Sequence, residues 1–201
     1  MSIRNELLEQ IAGATFDIRN NASLAVAYTE IGSFGSASLQ QPTGLGATGK
    51  IQVSFGAGGN TSGNEFQIDP DGTINTLSNG IQYTFDITIR PARAGASGVS
   101  VIMARFMYSA DGTRTDSVQL GSTFSVEIDN AKTIWRESFT GTFSPAIGSE
   151  LWLEIARDEG GDNSGDLRAE QPSGTLLADT PPWGDVNTAR LTISKLLVVP
   201  E

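Results

Sequence analysis

Apolar and polar residues alternate without a break over positions 81–90. Ile81, Tyr83, Phe85, Ile87 and Ile89 fall on one parity, and Gln82, Thr84, Asp86, Thr88 and Arg90 on the other. A period of two places each set on its own face of a strand, so this segment predicts a core strand with one buried and one wet face. Most of its residues are β-branched or aromatic, the types that suit a pleated, half-buried surface. The same period recurs in Ile51, Val53 and Phe55; in Phe124, Val126 and Ile128; in Trp135, Phe139 and Phe143; in Leu151, Leu153 and Ile155; and, over 189–199, in Leu191, Ile193 and Leu197. Turn chemistry punctuates these runs. Asp69-Pro70-Asp71-Gly72 and Asn79-Gly80 carry residues that preset or tolerate turn dihedrals and divide 66–90 into an antiparallel meander. About eight strands at this spacing predict an all-β chain, an antiparallel β-sandwich or jelly roll.

Several stretches break the pattern. Residues 99–108 are apolar on both parities, with Val99, Val101 and Met103 on one and Ile102, Ala104, Phe106 and Tyr108 on the other. A strand apolar on both faces is covered on both. In a two-layer sandwich the second cover must come from a loop, an N-terminal arm or another subunit. Residues 2–14 predict a short N-terminal α-helix: Ser2 is a suitable N-cap, Ile3, Leu7, Leu8 and Ile11 share a face, and Gly13 stops it. About three turns of helix are marginal alone in water, so that face must dock, either on its own domain or on a partner. Residues 16–31 predict an extended arm or outer strand, and 33–49, rich in glycine, serine and threonine, a linker. The expected organisation is thus helix and arm over 1–49 and jelly roll over 50–201. Residues 158–185 lack any period, and loops of that length are functional or mobile.

Composition removes chemistry rather than adding it. The 201 residues include neither histidine nor cysteine, which excludes disulfides, thiolates, the commonest general base and the commonest zinc ligand. An enzyme would have to run on carboxylates, lysine, tyrosine or a hard metal, and the expectation is a non-enzyme with no cofactor. A net charge of -10 argues against nucleic-acid binding. No apolar run reaches the roughly 18 residues of a membrane span, and the start lacks a signal-peptide pattern. Asp158, Asp162 and Asp166, with Glu159 and Asn163, supply oxygen ligands of the kind calcium takes. Their spacing does not match an EF-hand loop, and a solvated acidic loop is the simpler reading. Trp152 alternates with the inward residues of its strand and so faces outward. It is either covered by the 158–185 loop or a neighbouring subunit, or it forms a sugar-stacking platform. Trp183, between Pro182 and Gly184, either pins that loop or stands at a ligand-binding tip.

The succession DPDGTINTLSNGIQYTFDITIR, SGVSVIMARFMYSADGT, TIWRESFTGTFSPAIGSELWLEIARDEGGDNSGDLR and NTARLTISKL resembles the compact jelly roll of the tumour-necrosis-factor and complement-component family. More narrowly, it resembles the versions carried by virion proteins of tailed bacteriophages. The likeness covers about 51–199 and rests on soft motifs: the Asn79-Gly80-Ile81-x-Tyr83-x-Phe85 strand, Phe139-Thr140-Gly141-Thr142-Phe143, Leu151-x-Leu153-x-Ile155 with its acidic glycine loop, and Leu191-Thr192-Ile193. It implies a homotrimer, with Ile102, Phe106 and Tyr108 of the two-faced strand as candidate oligomer-interface residues. It further implies a virion structural protein of head-decoration or tail-fibre type, made in the host cytoplasm. Such a protein would attach to a major capsid or tail protein through Ile3, Leu7, Leu8 and Ile11. The alternative is an adhesin module binding a receptor or host-surface glycan, with Trp152 and Trp183 in its ligand loop.

Overall fold

The computed structural model describes residues 32–36, 39–55, 65–78, 82–93, 98–129 and 136–195. Among them run twelve strands: β1 (Gly32–Ser36), β2 (Ile51–Gln52), β3 (Phe66–Ile68), β4 (Ile74–Thr76), β5 (Tyr83–Ile89), β6 (Pro91–Arg93), β7 (Ser100–Ser109), β8 (Val118–Ile128), β9 (Glu137–Phe143), β10 (Glu150–Arg157), β11 (Gly165–Leu167) and β12 (Ala189–Lys195). A four-stranded sheet has the order β1-β12-β5-β9. A six-stranded sheet has the order β3-β4-β10-β7-β8, with β2 also on β10, and β11 pairs β6. Every pairing between strands is antiparallel. The chain is an antiparallel β-sandwich of jelly-roll type, with neighbours far apart in sequence.

The alternation of β5 is what joins the layers. Tyr83, Phe85, Ile87 and Ile89 are buried, and each such side chain contributes on the order of 1.5 to 3 kcal/mol before ordering costs. From the same sheet Phe139, Phe143, Leu191 and Ile193 join them; from the other come Ile74, Ile102, Phe106, Ile128, Leu151, Leu153 and Ile155. The two layers meet through aromatic contacts. Phe85 and Phe106 lie 4.6 Å apart between ring centroids, and Phe124 stacks on Phe139 at 4.7 Å. Both distances fall within the range where aromatic pairs add to their area burial.

Four expectations need correcting. Residues 66–90 are not a meander: β3 and β4 form a hairpin in the six-stranded sheet, whereas β5 pairs β12 and β9 in the other. Turn signals mark where a chain reverses but not which sheet it enters next. Secondly, β1 lies in the stretch read as a linker and pairs β12 from Gly32↔Ile193 to Ser36↔Ala189, so the sandwich extends ahead of residue 50. Thirdly, Ile102 and Phe106 are fully buried between the sheets of their own chain, and the half-buried Tyr108 packs on the same core. Ile102 and Phe106 have no side-chain surface to give an oligomer interface, because the inward parity of β7 faces β5 and not a neighbour. Finally, Gln40, also in the presumed linker, is buried. Its amide nitrogen donates to the Ser54 carbonyl (3.0 Å) and to Thr188 Oγ1 (2.9 Å), and its Oε1 accepts from the Ser54 amide (2.6 Å). The helix over 2–14 with Ile3, Leu7, Leu8 and Ile11, the 16–31 arm, the 56–63 loop, Asn79-Gly80, Ile81, Trp135 and Leu197 lie outside the described residues.

The β3–β4 turn fits without slack. Gly72 has φ 92°, and a Cβ there would sit 2.0 Å from the Val53 carbonyl oxygen. Gly121 also has positive φ (72°) but has open space around it. Gly72→Ala should therefore cost about 3 kcal/mol or more, from strain plus a backbone clash, and Gly121→Ala about 1 to 2 kcal/mol from conformation alone. Urea unfolding of both variants checks the order; equal losses would mean that the Val53 approach does not matter.

Candidate functional site

The outer face of the six-stranded sheet carries Trp152, the residue read as either covered or sugar-binding. It is 4 % exposed, and its cover is Arg114, from the turn between β7 and β8. The guanidinium carbon lies 4.4 Å from the ring centroid. Arginine stacks well on tryptophan because its planar cation is weakly hydrated. Arg114 takes a left-handed backbone conformation, φ 61°, which costs about 1 to 2 kcal/mol for a residue with a Cβ. It is held there by Nε to Glu150 Oε2 (2.7 Å), Nη1 to Gln52 Oε1 (2.9 Å) and Nη2 to Thr73 Oγ1 (2.7 Å), and its amide donates to Ser109 Oγ (3.0 Å). Trp152 is thus no ligand platform. Its cover is a neighbouring turn, not the 158–185 loop.

Beside it lies a cavity of about 260 Å³ that includes Lys50, Met103, Arg105, Glu154 and Asp158 in its wall. Glu154 is the one carboxylate there that is buried. Its Oε1 accepts from the Trp152 indole (3.0 Å) and Lys50 (3.1 Å), and its Oε2 from Arg105 Nε (2.8 Å), with Arg105 Nη2 at 2.6 Å. Burial pushes the carboxyl up, yet the bonds from Trp152, Arg105 and Lys50 together hold it below its ordinary value. A carboxylate so fully engaged cannot serve as an acid or base near neutrality; it ties the face together.

The acidic stretch after β10 is also built differently from its expected solvated form. Ser164, Gly165, Asp166 and Leu167 are buried, gathered round two buried arginines. Arg157 Nε donates to the Gly165 carbonyl (2.7 Å) and Nη1 to the Asn163 carbonyl (2.7 Å). Arg93, 1 % exposed, reaches Ser164 Oγ (3.2 Å), the Gly98 carbonyl and Asp162 (3.3 Å). Asp166 pairs with Arg168 at 2.5 Å; burial raises its carboxyl above the usual value, against the pull of Arg168 and Arg157. The structure does not gather the calcium candidates Asp158, Asp162 and Asp166 into one cluster: among the described residues no three Asp, Glu, His or Cys side chains stand where they could hold one ion. Asp162 instead lies against Arg93 and Asp166 against Arg168.

Beyond this base the chain makes an exposed excursion. Glu170 and Val186 exchange backbone hydrogen bonds (3.1 and 2.8 Å) and close its neck. Within it a helical turn, Gly174–Leu177, presents Leu176 and Leu177 outward, and Val186 is exposed as well. Trp183 is 58 % exposed. Its indole donates to Asp179 Oδ2 (2.9 Å), while its backbone amide bonds the Leu176 carbonyl (3.2 Å). The indole bond, followed by one from the Thr180 amide, holds the Asp179 carboxyl below its ordinary value. An oriented, open aromatic ring beside a fixed carboxylate can stack on an apolar ring face and accept hydrogen bonds from its hydroxyls. Of the two tryptophans read as ligand residues, the structure leaves Trp183 on the surface.

No protein-family model matches the chain, and no curated protein does. Among solved structures the chain is similar to the globular domain of a zebrafish complement 1qA protein, at 14% sequence identity. The match covers 86% of this chain and 99% of that one, with a TM-score of 0.44. The fold stands on the strand order given above and not on this likeness.

Glu154, Arg114, Arg93 and Arg157 escape sequence reading, since isolated charged residues on a strand or turn carry no signal of their partners. Glu154 gives a test. Its folded pKa is depressed, so its contribution to stability is present above the unfolded value of 4.5 and is lost as pH falls through the folded value. Thermal unfolding across that interval should show a smaller acid-induced drop for Glu154→Gln than for the parent. At neutral pH the variant should be less stable by about 1 to 3 kcal/mol. An unchanged acid profile would remove Glu154 as its source.

Proposed function

We propose that this chain is a non-enzymatic structural and binding module of a phage virion. In this reading a jelly roll assembles as a homotrimer, attaches to other virion proteins through Ile3, Leu7, Leu8 and Ile11, and turns the excursion closed by Glu170 and Val186 toward its surroundings. The observation that supports a binding role is the exposed set Leu176, Leu177, Trp183 and Val186 on one excursion, standing on a base that buried arginines make rigid. Apolar residues kept in water together mark contact surfaces more often than isolated ones do. The virion setting draws on the succession of segments that resembles phage jelly rolls.

A second reading, an adhesin that binds a glycan, is favoured by one feature: the Trp183 ring is open while its nitrogen is fixed by Asp179.

Size-exclusion chromatography with light scattering should give three times the 21.2 kDa chain mass. A monodisperse monomer at micromolar concentration would overturn the trimer. Removing residues 1–15 should leave a folded sandwich that no longer decorates particles. For the adhesin reading, Trp183→Ala should weaken glycan-array binding about tenfold or more, equivalent to at least 1.4 kcal/mol; a parent protein silent on a broad array would end that reading.

A further inference from the structure

We propose that the end of the four-stranded sheet beside the Glu170–Val186 neck is a binding site for an oxoanion group: a carboxylate, phosphate or sulfate. A cavity of about 530 Å³ opens there, lined by Thr88, Arg90, Arg136, Asp185, Asn187 and Arg190 among others. That volume is within the roughly 300 to 1,000 Å³ of small-ligand sites. The strand register brings the three arginines together. Arg190 on β12 stands opposite Thr88 on β5, Ser138 on β9 stands opposite the same Thr88, and Arg136 precedes Ser138 by two residues. Arg90 follows Thr88 by two, so it falls on the same outer parity.

Arg90 adds charge to the wall. Its side chain is 11 % exposed, Nη2 bonds Glu170 Oε2 at 2.5 Å, and Nη1 is enclosed by protein. Arg136 and Arg190 are exposed and are the guanidiniums a ligand would meet; two such groups are well matched to the oxygens of one oxoanion. The lining carries three guanidiniums and the Asp185 carboxylate, with Glu170 at the edge. Thr88 and Asn187 add neutral polar groups that can orient a ligand. The site is separate from the Trp183–Asp179 pair and stands whether or not that pair binds anything.

Isothermal titration of the full chain at low ionic strength tests this with sodium glucuronate and inorganic phosphate as probes and glucose as neutral control. At least one anion should bind in the millimolar range or tighter and weaken as salt is added, while glucose gives no heat. Arg136→Gln and Arg190→Gln should each weaken that binding about tenfold with far-UV circular dichroism unchanged. A preference for glucuronate assigns the site to an acidic saccharide, and equal or stronger phosphate binding assigns it to phosphate. Amide NMR of the parent protein provides a measurement free of variants: shifts should centre on Arg90, Asn187 and Arg190. Absence of binding by both anions at tens of millimolar, unchanged affinity in both folded variants, or shifts centred elsewhere would each overturn the proposal. Phosphate binding that survives Trp183→Ala, beside glycan recognition that does not, would separate this site from the adhesin reading.

Discussion

The contact of Phe85 with Phe106 and Gly141 is the constraint on which the two layers depend. Phe85 pairs Gly141 across β5 and β9, and a Cβ at that glycine would lie 2.5 Å from the Phe85 ring. The ring therefore occupies the volume a side chain would take, and from there meets Phe106 of the opposite sheet. Packed interiors leave little room to move such a ring elsewhere. This fixes which parity of β5, β7 and β9 faces inward. Register then propagates the choice, since a slip by one residue would turn every core side chain to solvent. The outer faces follow as residue: Thr84, Asp86 and Thr88 beyond β5, and Met103, Arg105, Trp152 and Glu154 beyond β7 and β10.

Those two outer faces are finished differently, and the difference decides where function can sit. On the six-stranded sheet an aromatic ring, an arginine in a strained backbone conformation and a carboxylate with Lys50 and Arg105 around it close over one another. Arg114 bonds Glu150, Gln52 and Thr73 there, and the Trp152 indole bonds Glu154, which ties the strands of that sheet together. At its end, Arg157 spends its guanidinium on the Gly165 and Asn163 carbonyls, and Arg93 reaches the Ser164 and Asp162 side chains of the same segment. Such bonds give an irregular stretch the internal order that a ladder gives a strand. The excursion that follows is consequently displayed from a firm neck, which is the condition for a loop to bind without a large ordering cost.

Legibility in the sequence tracks how much of a segment's energy comes from one-sided burial. β5, β10 and β12 announce themselves because alternate residues enter the core. β1 does not, since an edge strand in Gly-Ser-Phe-Gly-Ser is held by backbone bonds to β12 that any sequence can make. Gln40, Arg93 and Arg157 are invisible for a related reason: their partners are carbonyls and hydroxyls distant in sequence or local to an irregular loop. The two-faced strand 99–108 is covered on one parity only. Ile102, Ala104 and Phe106 are buried in the core, whereas on the other parity Val99 is exposed and Val101 and Met103 are half-buried. The cation that closes on this outer sheet face, Arg114 over Trp152, is a residue that a hydropathy pattern counts as polar although long charged side chains shield apolar surface readily. For Trp183 the outward position is legible as one of two readings, but its Asp179 partner is not.

The overall charge of -10 and a cluster of three arginines are compatible because they act over different distances. At physiological ionic strength charges beyond about 8 Å are largely screened in water. A net negative surface opposes a polyanion that must lie along it, contacting many sites at once. A single carboxylate or phosphate that enters a cavity responds mainly to the groups lining it. Arg90, Arg136 and Arg190 are widely separated in sequence and belong to different segments, so composition registers them only as scattered cations. Register brings those scattered cations to the wall of one cavity. The same register that buries Phe85, Ile87 and Ile89 inward places Thr88 and its arginine neighbours outward. The core and the cationic cavity are two consequences of one choice of face.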